Sequence, residues 1–355
     1  MAINAQHSVT IEDVARTAGV SRAAVSKVIR DAYGVSPEMR AKVQAAIDEL
    51  GYRPRVAARA MRGATYTFGV EIPSILNQFF PKIINGASQT LADSRYQLII
   101  APAVPEDAGF KAIEALADRQ VDGIVVITRV PYEWLENLGR KLPLVAIGSH
   151  YASKNYDTLV GDDLLGAALA VRHLYDLGHR RIVHLTLNES RDPSNVGAPH
   201  SVRQIGYERA VEELGLSPEI VWVEPDVAAA EASARALLRS ADGPVGLFVS
   251  HDELALGVLT AVADLGLTPA QASVVGYDDI DIAAHPRMSL TSINQSGTRM
   301  GEIAVRLLLE RIAGRVEPVH EVVTPKVMVR GSTAAPDPHT PQSTGTVARA
   351  TQESR

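Results

Sequence analysis

Apolar residues in the first fifty positions recur at helical spacing; from Thr65 onward they gather into short runs. The first pattern predicts three short helices across 9–50. "IEDVARTAG" opens after Thr10, a good N-cap, with Asp13 three residues on in near capping-box spacing. Ile11, Val14, Ala15 and Ala18 share its inner face. Gly19-Val20 makes a turn, and Ser21 caps the next helix, "SRAAVSKVIR". On a wheel of about 100° per residue, Arg22, Ala23, Ser26, Lys27 and Arg30 fall on one arc. Ala24, Val25, Val28 and Ile29 fall on the other, so one face packs and one is presented. After the loop "DAYGV", Ser36-Pro37 starts a third helix to about Leu50, with Val43, Ala46, Ile47 and Leu50 inward and Gly51 as its stop.

A helix, a glycine turn and a second helix with a small, cationic outer face form a helix-turn-helix arrangement. Such a second helix lies in the major groove of DNA, its N-terminal residues at base edges. There Arg22 can contact guanine bidentately, Ala23 offers a methyl-sized contact such as to thymine, and Lys27 reaches a base or a phosphate. Phosphate contacts for each residue, and a merely solvated amphipathic helix, stay open on the pattern alone. Next comes "YRPRVAARAMRGAT", Tyr52 to Thr65. Pro54 can open a helix, but two turns are marginal alone in water. Arg55, Ala58 and Arg59 suit a helix that folds on DNA, with Met61 wedging a minor-groove base step. An ordinary interdomain linker is the other reading.

From Thr65 the runs "TFGVEIP", "YQLIIAPA", "VDGIVVIT", "LPLVAIGS", "RRIVHLT", "EIVWVEP", "VGLFVS" and "SVVGYDD" alternate with helical stretches. That alternation predicts parallel sheets in an α/β body, in two sets of units over roughly 65–160 and 162–290. A long apolar helix, "RMGEIAVRLLLERIAG", and a closing strand, "EVVTPKVMVRGS", follow. Residues 333–355 show no periodicity and read as a disordered tail. No repeat at a solenoid period is present.

Composition narrows the picture. The chain has 355 residues, 46% of them hydrophobic, enough for more than one domain. The absence of cysteine excludes disulfides, iron–sulfur clusters and thiolate zinc, and fits a reducing compartment. Neither a leader nor a membrane-length apolar run is visible, so a cytoplasmic location is expected. Net charge is −6, split as +4 over residues 1–63 and −10 over the rest. A basic head on an acidic body is the asymmetry expected if only the head meets nucleic acid. There is no Walker-type loop, no G-x-G-x-x-G after the first strand, no H-E-x-x-H and no metal spacing among the histidines. Neither a cofactor nor a metal is expected. "SHDE", Ser250 to Glu253, holds adjacent residues that cannot converge into a catalytic relay. Cleft carboxylates suit a glycosidase, but the basic head argues against an enzyme.

"VTIEDVARTAGVSRAAVSKVI", "VSPEMRAKVQAAIDELGYRP" and "VAARAMR" resemble the DNA-binding head and hinge of the LacI/GalR (lactose repressor) family. "HLYDLGHRRIVHL" and "VVGYDDIDIAAHPRMSLTSINQ" resemble its sensor core, and the likeness spans about 9–332. The resemblance implies an all-α helix-turn-helix head over 1–53, a hinge helix over 54–64 and a two-lobed α/β core over 65–332, similar to periplasmic binding proteins. It places the N-lobe at about 65–161 and 293–321, and the C-lobe at about 162–290 and 322–332. It implies a homodimeric repressor on a palindromic operator, switched by a small molecule between the lobes. Arg22, Ala23 and Lys27 match its base-reading positions, and Met61 stands where the family usually has a wedging leucine. Phe79, Phe80, Asp162, Arg203, His251, Asp252 and Asp278 match its effector contacts.

Carboxylates and arginine that take hydroxyls in pairs, with an aromatic face, point to a sugar or sugar derivative. His251 in place of a common asparagine changes the donor set. Gly148 stands where some relatives carry an acid, so that contact is expected to be absent. The long loop "NESRDPSNVGAPHSVR" is expected to shape the pocket. Core packing stays open for Phe79-Phe80, and a structural pair for Arg203 and Asp278. The tail carries no heptads, which favours a dimer over a coiled-coil tetramer. A cytoplasmic solute-binding protein or sugar-acting enzyme with a similar body is the alternative, and the complete head speaks against it.

Overall fold

The computed structural model describes residues 9–29, 32–52, 64–104, 109–127, 130–192, 195 and 197–337. The chain separates into two compact units, Met1–Thr65 and Tyr66–Arg355.

The first unit holds α1 (Ile11–Ala18), α2 (Arg22–Ile29) and α3 (Pro37–Leu50). Thr10 and Asp13 form a full capping box at α1, and Gly19 closes it in the left-handed region at φ 64°. Ser36 caps α3, Pro37 takes its first position, and Gly51 ends it at φ 61°. Val14, Ala15, Val25, Val28, Val43, Ala46 and Tyr52 make the core. One expectation fails. Ser26, assigned to the presented face of α2, is buried. It sits inside that arc, beside Arg22, but its side chain is short and stays close to the helix backbone while longer neighbours extend past it. The proposed hinge lies almost wholly outside the described residues, and Arg30, Arg55, Ala58, Arg59 and Met61 with it.

The second unit contains two six-stranded sheets of the same order. One runs β11 (His320–Val323), β5 (Asp157–Gly161), β4 (Leu144–Ile147), β3 (Gly123–Val126), β1 (Thr67–Ile72), β2 (Gln97–Pro102). The other runs β12 (Lys326–Met328), β10 (Thr291–Asn294), β9 (Ala272–Tyr277), β8 (Val245–Val249), β6 (Ile182–Leu187), β7 (Glu219–Val223). All described pairings are parallel except β10 with β12. The inner strands are continuous apolar runs because both faces are covered by helices. In the first lobe, α4 (Phe79–Thr90) and α11 (Gly297–Ile312) cover one face, and α5 (Phe110–Asp118) and α6 (Tyr132–Gly139) the other. In the second lobe, α7 (Asp163–Leu177) and α8 (Pro199–Glu213) pair on one face, with α9 (Val227–Arg239) and α10 (Asp252–Asp264) on the other.

Glycine sets the closest helix contact. A Cβ at Gly86 of α4 would lie 1.9 Å from the Thr298 carbonyl, and one at Gly301 of α11 would lie 2.0 Å from that of Ile83. Only bare backbone permits this approach, which fixes the Phe79 end of α4 against the start of α11.

The predicted closing strand is two strands in two sheets. β11 joins the first lobe and β12 the second, with Thr324-Pro325 between them. Proline cannot donate to a ladder, so pairing ends there. The expected lobe boundaries therefore shift: β10, through Asn294, belongs to the second lobe, and the last crossing falls at 324–325. Strands β5 and β10 were not anticipated. The chain crosses between lobes three times, and two crossings touch, with the Asp162 amide donating to the Val323 carbonyl at 3.0 Å. The expected tail also begins later than Thr333. His173 Nε2 meets Thr333 Oγ1 at 2.9 Å, and the Ala334 amide donates to Ser273 Oγ at 3.0 Å. Residues 338–355 lie outside the described part.

Candidate functional site

Two surfaces carry the chemistry. On α2, Arg22, Ala23 and Lys27 are exposed while Val25 and Val28 are buried, so a small, cationic face is presented. Ser21 accepts from the Ala24 amide at 3.2 Å, and Thr10 is likewise used as a cap. Arg22 rests 3.4 Å from Glu12, with both side chains about two-thirds exposed. Such a pair is worth about 0–1 kcal/mol and gives way readily to a stronger anion.

The second surface is a cleft of about 750 Å³ between the two lobes of the core. Its first-lobe wall is apolar. Phe79 and Phe80 open α4 and meet edge to face at 6.1 Å, with Ile127, Ile147 and Met300 beside them. Its second-lobe wall is polar, built on the buried Arg203 of α8. Arg203 Nε donates to Asp163 Oδ1 at 2.8 Å and Nη1 to the Ser250 carbonyl at 2.7 Å. Its guanidinium carbon lies 3.7 Å from the Tyr277 ring centroid. Asp163 also accepts from the Tyr277 hydroxyl at 3.1 Å and contacts His150 Nε2 at 2.8 Å. Burial pushes the Asp163 carboxyl upward, but Arg203 and His150 more than offset it and hold it below its ordinary range.

Asp278 sits opposite, its Oδ1 4.0 Å from Arg203 Nη2 and accepting from Gln295 Nε2. Its backbone is at φ 102° and that of Asp279 at φ 51°. Two successive non-glycine residues with positive φ store strain of the kind concentrated at ligand sites. Burial lifts the Asp278 carboxyl to about 7 against the pull of Arg203, with Glu253 adding to the rise. Burial, then Arg203, pushes His251 down to about 3, so its imidazole is neutral at pH 7. Glu253 bridges the mouth of the cleft, accepting from the Gln78 amide of the other lobe at 2.7 Å. Lys82 makes a second bridge, to Asp281 at 3.1 Å and to the Asp279 carbonyl.

Of the expected contacts, Phe79, Phe80, Arg203, His251 and Asp278 line the cleft together. Asp162 and Asp252 do not. Asp162 turns back as the N-cap of α7, accepting from the Leu165 amide at 3.0 Å. The adjacent Asp163 faces the cleft instead. Asp252 is buried against the Ser292 hydroxyl at 2.6 Å and the Ile280 amide at 2.8 Å, and Glu253 takes the lining position. Gly148 lines the wall without a side chain, and Glu189, Pro199, His200 and Arg203 bring the long loop to the rim. His150, Glu253 and Gln295 were missed, since each is placed by a contact across the fold rather than by a local pattern.

Comparison with known proteins gives a consistent picture. Residues 10–55 match the bacterial regulatory proteins of the lacI family, and residues 171–333 match the periplasmic binding protein-like domain. The ribose operon repressor of Escherichia coli K12 is 31% identical over 333 residues, covering 91% of this chain and 99% of that protein. A LacI family regulator from Enterococcus faecium with bound ribose is 26% identical at TM-score 0.67, covering 76% of this chain and 100% of that one. The lac repressor dimer bound to operator and an anti-inducer shares the fold, at 24% identity and TM-score 0.78, covering 92% of this chain and 100% of that one. Among the described residues no helix is long and apolar enough to cross a membrane, and no cluster of three or more candidate ligands could hold a metal ion.

Proposed function

The chain belongs to the LacI family of bacterial regulatory proteins, and from that premise we propose that it is a cytoplasmic repressor whose operator affinity is set by a sugar-like effector in the cleft. It is a DNA-binding regulator rather than an enzyme, as its relatives are. The observation that carries the reading is the presence in one chain of an exposed cationic helix and a buried, strained polar cleft. Arg22 and Ala23 read base edges, Lys27 reaches a base or phosphate, and Ser21 and Thr10 hold the helix ends near the backbone. Two heads of a homodimer read the halves of a palindrome, with residues 54–64 as the hinge between head and core. A dimer is supported by the fold shared with the lac repressor dimer.

Linkage supplies the switch. Effector hydroxyls pair with Arg203, Asp163 and Asp278, and a ring face lies on Phe79 and Phe80. Asp278 is held by Gln295, which leads directly into the second interlobe crossing. A ligand that draws on Asp278 or Glu253 therefore acts on the contacts that set the angle between the lobes. The ribose known in one relative and the ribose operon of another support a sugar as effector. The test is selection of duplexes from a random pool by the full-length protein. Palindromes should be enriched, with affinity falling linearly in log–log against salt. No enriched palindrome at low salt would remove the repressor reading.

A further inference from the structure

Charge in the cleft is lopsided. Its described lining includes five carboxylates, Asp163, Glu189, Asp226, Glu253 and Asp278, and one permanently cationic side chain, Arg203. That cation is already engaged. Nε is on Asp163, one Nη1–H is on the Ser250 carbonyl and the plane lies on Tyr277, so Nη2, 4.0 Å from Asp278, is the one guanidinium nitrogen not hydrogen-bonded to a described residue. Helix N-termini bind anions elsewhere, but at this cleft three of them, those of α4, α7 and α9, hold the chain's own oxygens, and α10 opens with two acids, Asp252 and Glu253. The Gln78 amide at the start of α4 is taken by Glu253, and the Phe79 amide by Asn77 at 2.8 Å. Asp162 caps α7, and Asp226 caps α9 at 2.8 Å.

An incoming phosphate would bring about −1.5 to −2 charges and acceptors only. It would meet five acidic side chains against a single permanent cation with one spare nitrogen, where anion sites normally present a fork of cationic donors. A hydroxyl differs, because it donates to a carboxylate and accepts from Arg203 Nη2. The apolar wall of Phe79, Phe80 and Met300 suits the less polar face of a ring. We propose that the cleft selects an uncharged polyhydroxylated ring, an unmodified sugar or polyol, and excludes the phosphorylated or carboxylated forms of the same ring. This rests on the sensor reading above and narrows it.

Calorimetry and thermal shift of the full chain with matched pairs test it: ribose and ribose 5-phosphate, glucose and glucose 6-phosphate, glucose and glucuronate. At least one neutral member should bind, and its charged counterpart should bind at least about 100-fold more weakly. At pH 8, above the value of about 7 to which burial lifts the Asp278 carboxyl, that ratio should shrink at least about tenfold in Asp278→Asn, whatever happens to absolute affinity. Equal or tighter binding of a charged member overturns the proposal and leaves the sensor reading standing. So does a response confined to a nucleobase or a polyamine added to the same panel. An unchanged ratio in Asp278→Asn overturns the electrostatic argument. Silence across the whole panel overturns both readings.

Discussion

Each lobe buries a carboxylate on an arginine, and the two clusters differ in what they leave over. In the first lobe Asp157 of β5 is fully buried and receives five donors. Arg311 and Arg315 each give two at 2.7–3.0 Å, and the Val319 amide gives one at 2.8 Å. A carboxylate offers about four lone-pair sites, so this one is saturated. It ties β5 to the end of α11 and to the segment entering β11. In the second lobe Arg203 and Asp163 keep one guanidinium nitrogen facing the cleft, and no donor from a described residue reaches Asp278 Oδ2. Sheet order, burial and residue types are alike. The difference is spare hydrogen-bonding capacity, and that separates a structural ion cluster from one able to take a ligand.

The sharpest way to break this comparison is to remove the saturated acid. Asp157→Ala leaves two partly buried guanidiniums without their buried partner and should cost about 3 kcal/mol in denaturant unfolding of the core. Burial pushes Asp157 upward, but Arg315 and Arg311 outweigh it and hold the carboxyl below its ordinary range. Its stabilisation is therefore present above the unfolded pKa and disappears as pH falls through the depressed folded value. A loss under about 1 kcal/mol would mean that saturation does not mark a structural role.

Arg203→Met asks the converse. It should abolish effector-dependent thermal stabilisation, a loss of about 2–5 kcal/mol in binding. Effector binding that survives within about threefold would move the site away from the second-lobe wall.

Asp278→Asn tests the spare capacity itself. Asparagine tolerates positive φ, so the strained turn can persist. Because burial lifts the folded carboxyl to about 7, its favourable contribution is full below the unfolded pKa and is lost as pH rises through 7. The variant should therefore melt above wild type at pH 8, by an amount equivalent to about 1–2 kcal/mol or several degrees, with a smaller gap at pH 5. A gap that widens towards acid would reverse the assignment.

These tests bear on what was legible in sequence. The head was read from local rules, since caps, glycine stops and inward positions all lie within a few residues of each other. Only Ser26, a short side chain among longer ones on the presented arc, went to the wrong face. The cleft was harder for a specific physical reason. Both misassigned acids, Asp162 and Asp252, stand at helix N-termini beside a second acid. Asp162 caps its own helix and Asp252 turns to the Ile280 amide and the Ser292 hydroxyl; which of two neighbours turns away and which faces the cleft depends on about 100° of rotation set by distant packing. The crossing at Thr324-Pro325 was hidden because β11 and β12 form one apolar run in sequence, though they belong to different sheets. The Asp157 cluster joins residues more than 150 positions apart, and no periodicity announces it.

The smallest effect on stability is expected at the other surface. Arg22 resembles Arg203 in chemistry and differs in setting: an exposed pair with Glu12 at 3.4 Å, rather than a buried one. Arg22→Ala should change unfolding free energy by no more than about 0.5 kcal/mol. On the selected operator it should cost about 1–3 kcal/mol and relax preference at one position of each half-site. Random duplex should be affected far less, because a base contact carries sequence information and a phosphate contact does not. Equal weakening on operator and random DNA would reassign Arg22 to the phosphate backbone. The comparison would survive in a sharper form: spare capacity buried in a cleft confers selectivity, whereas spare capacity in solvent confers it only where a partner's shape excludes water.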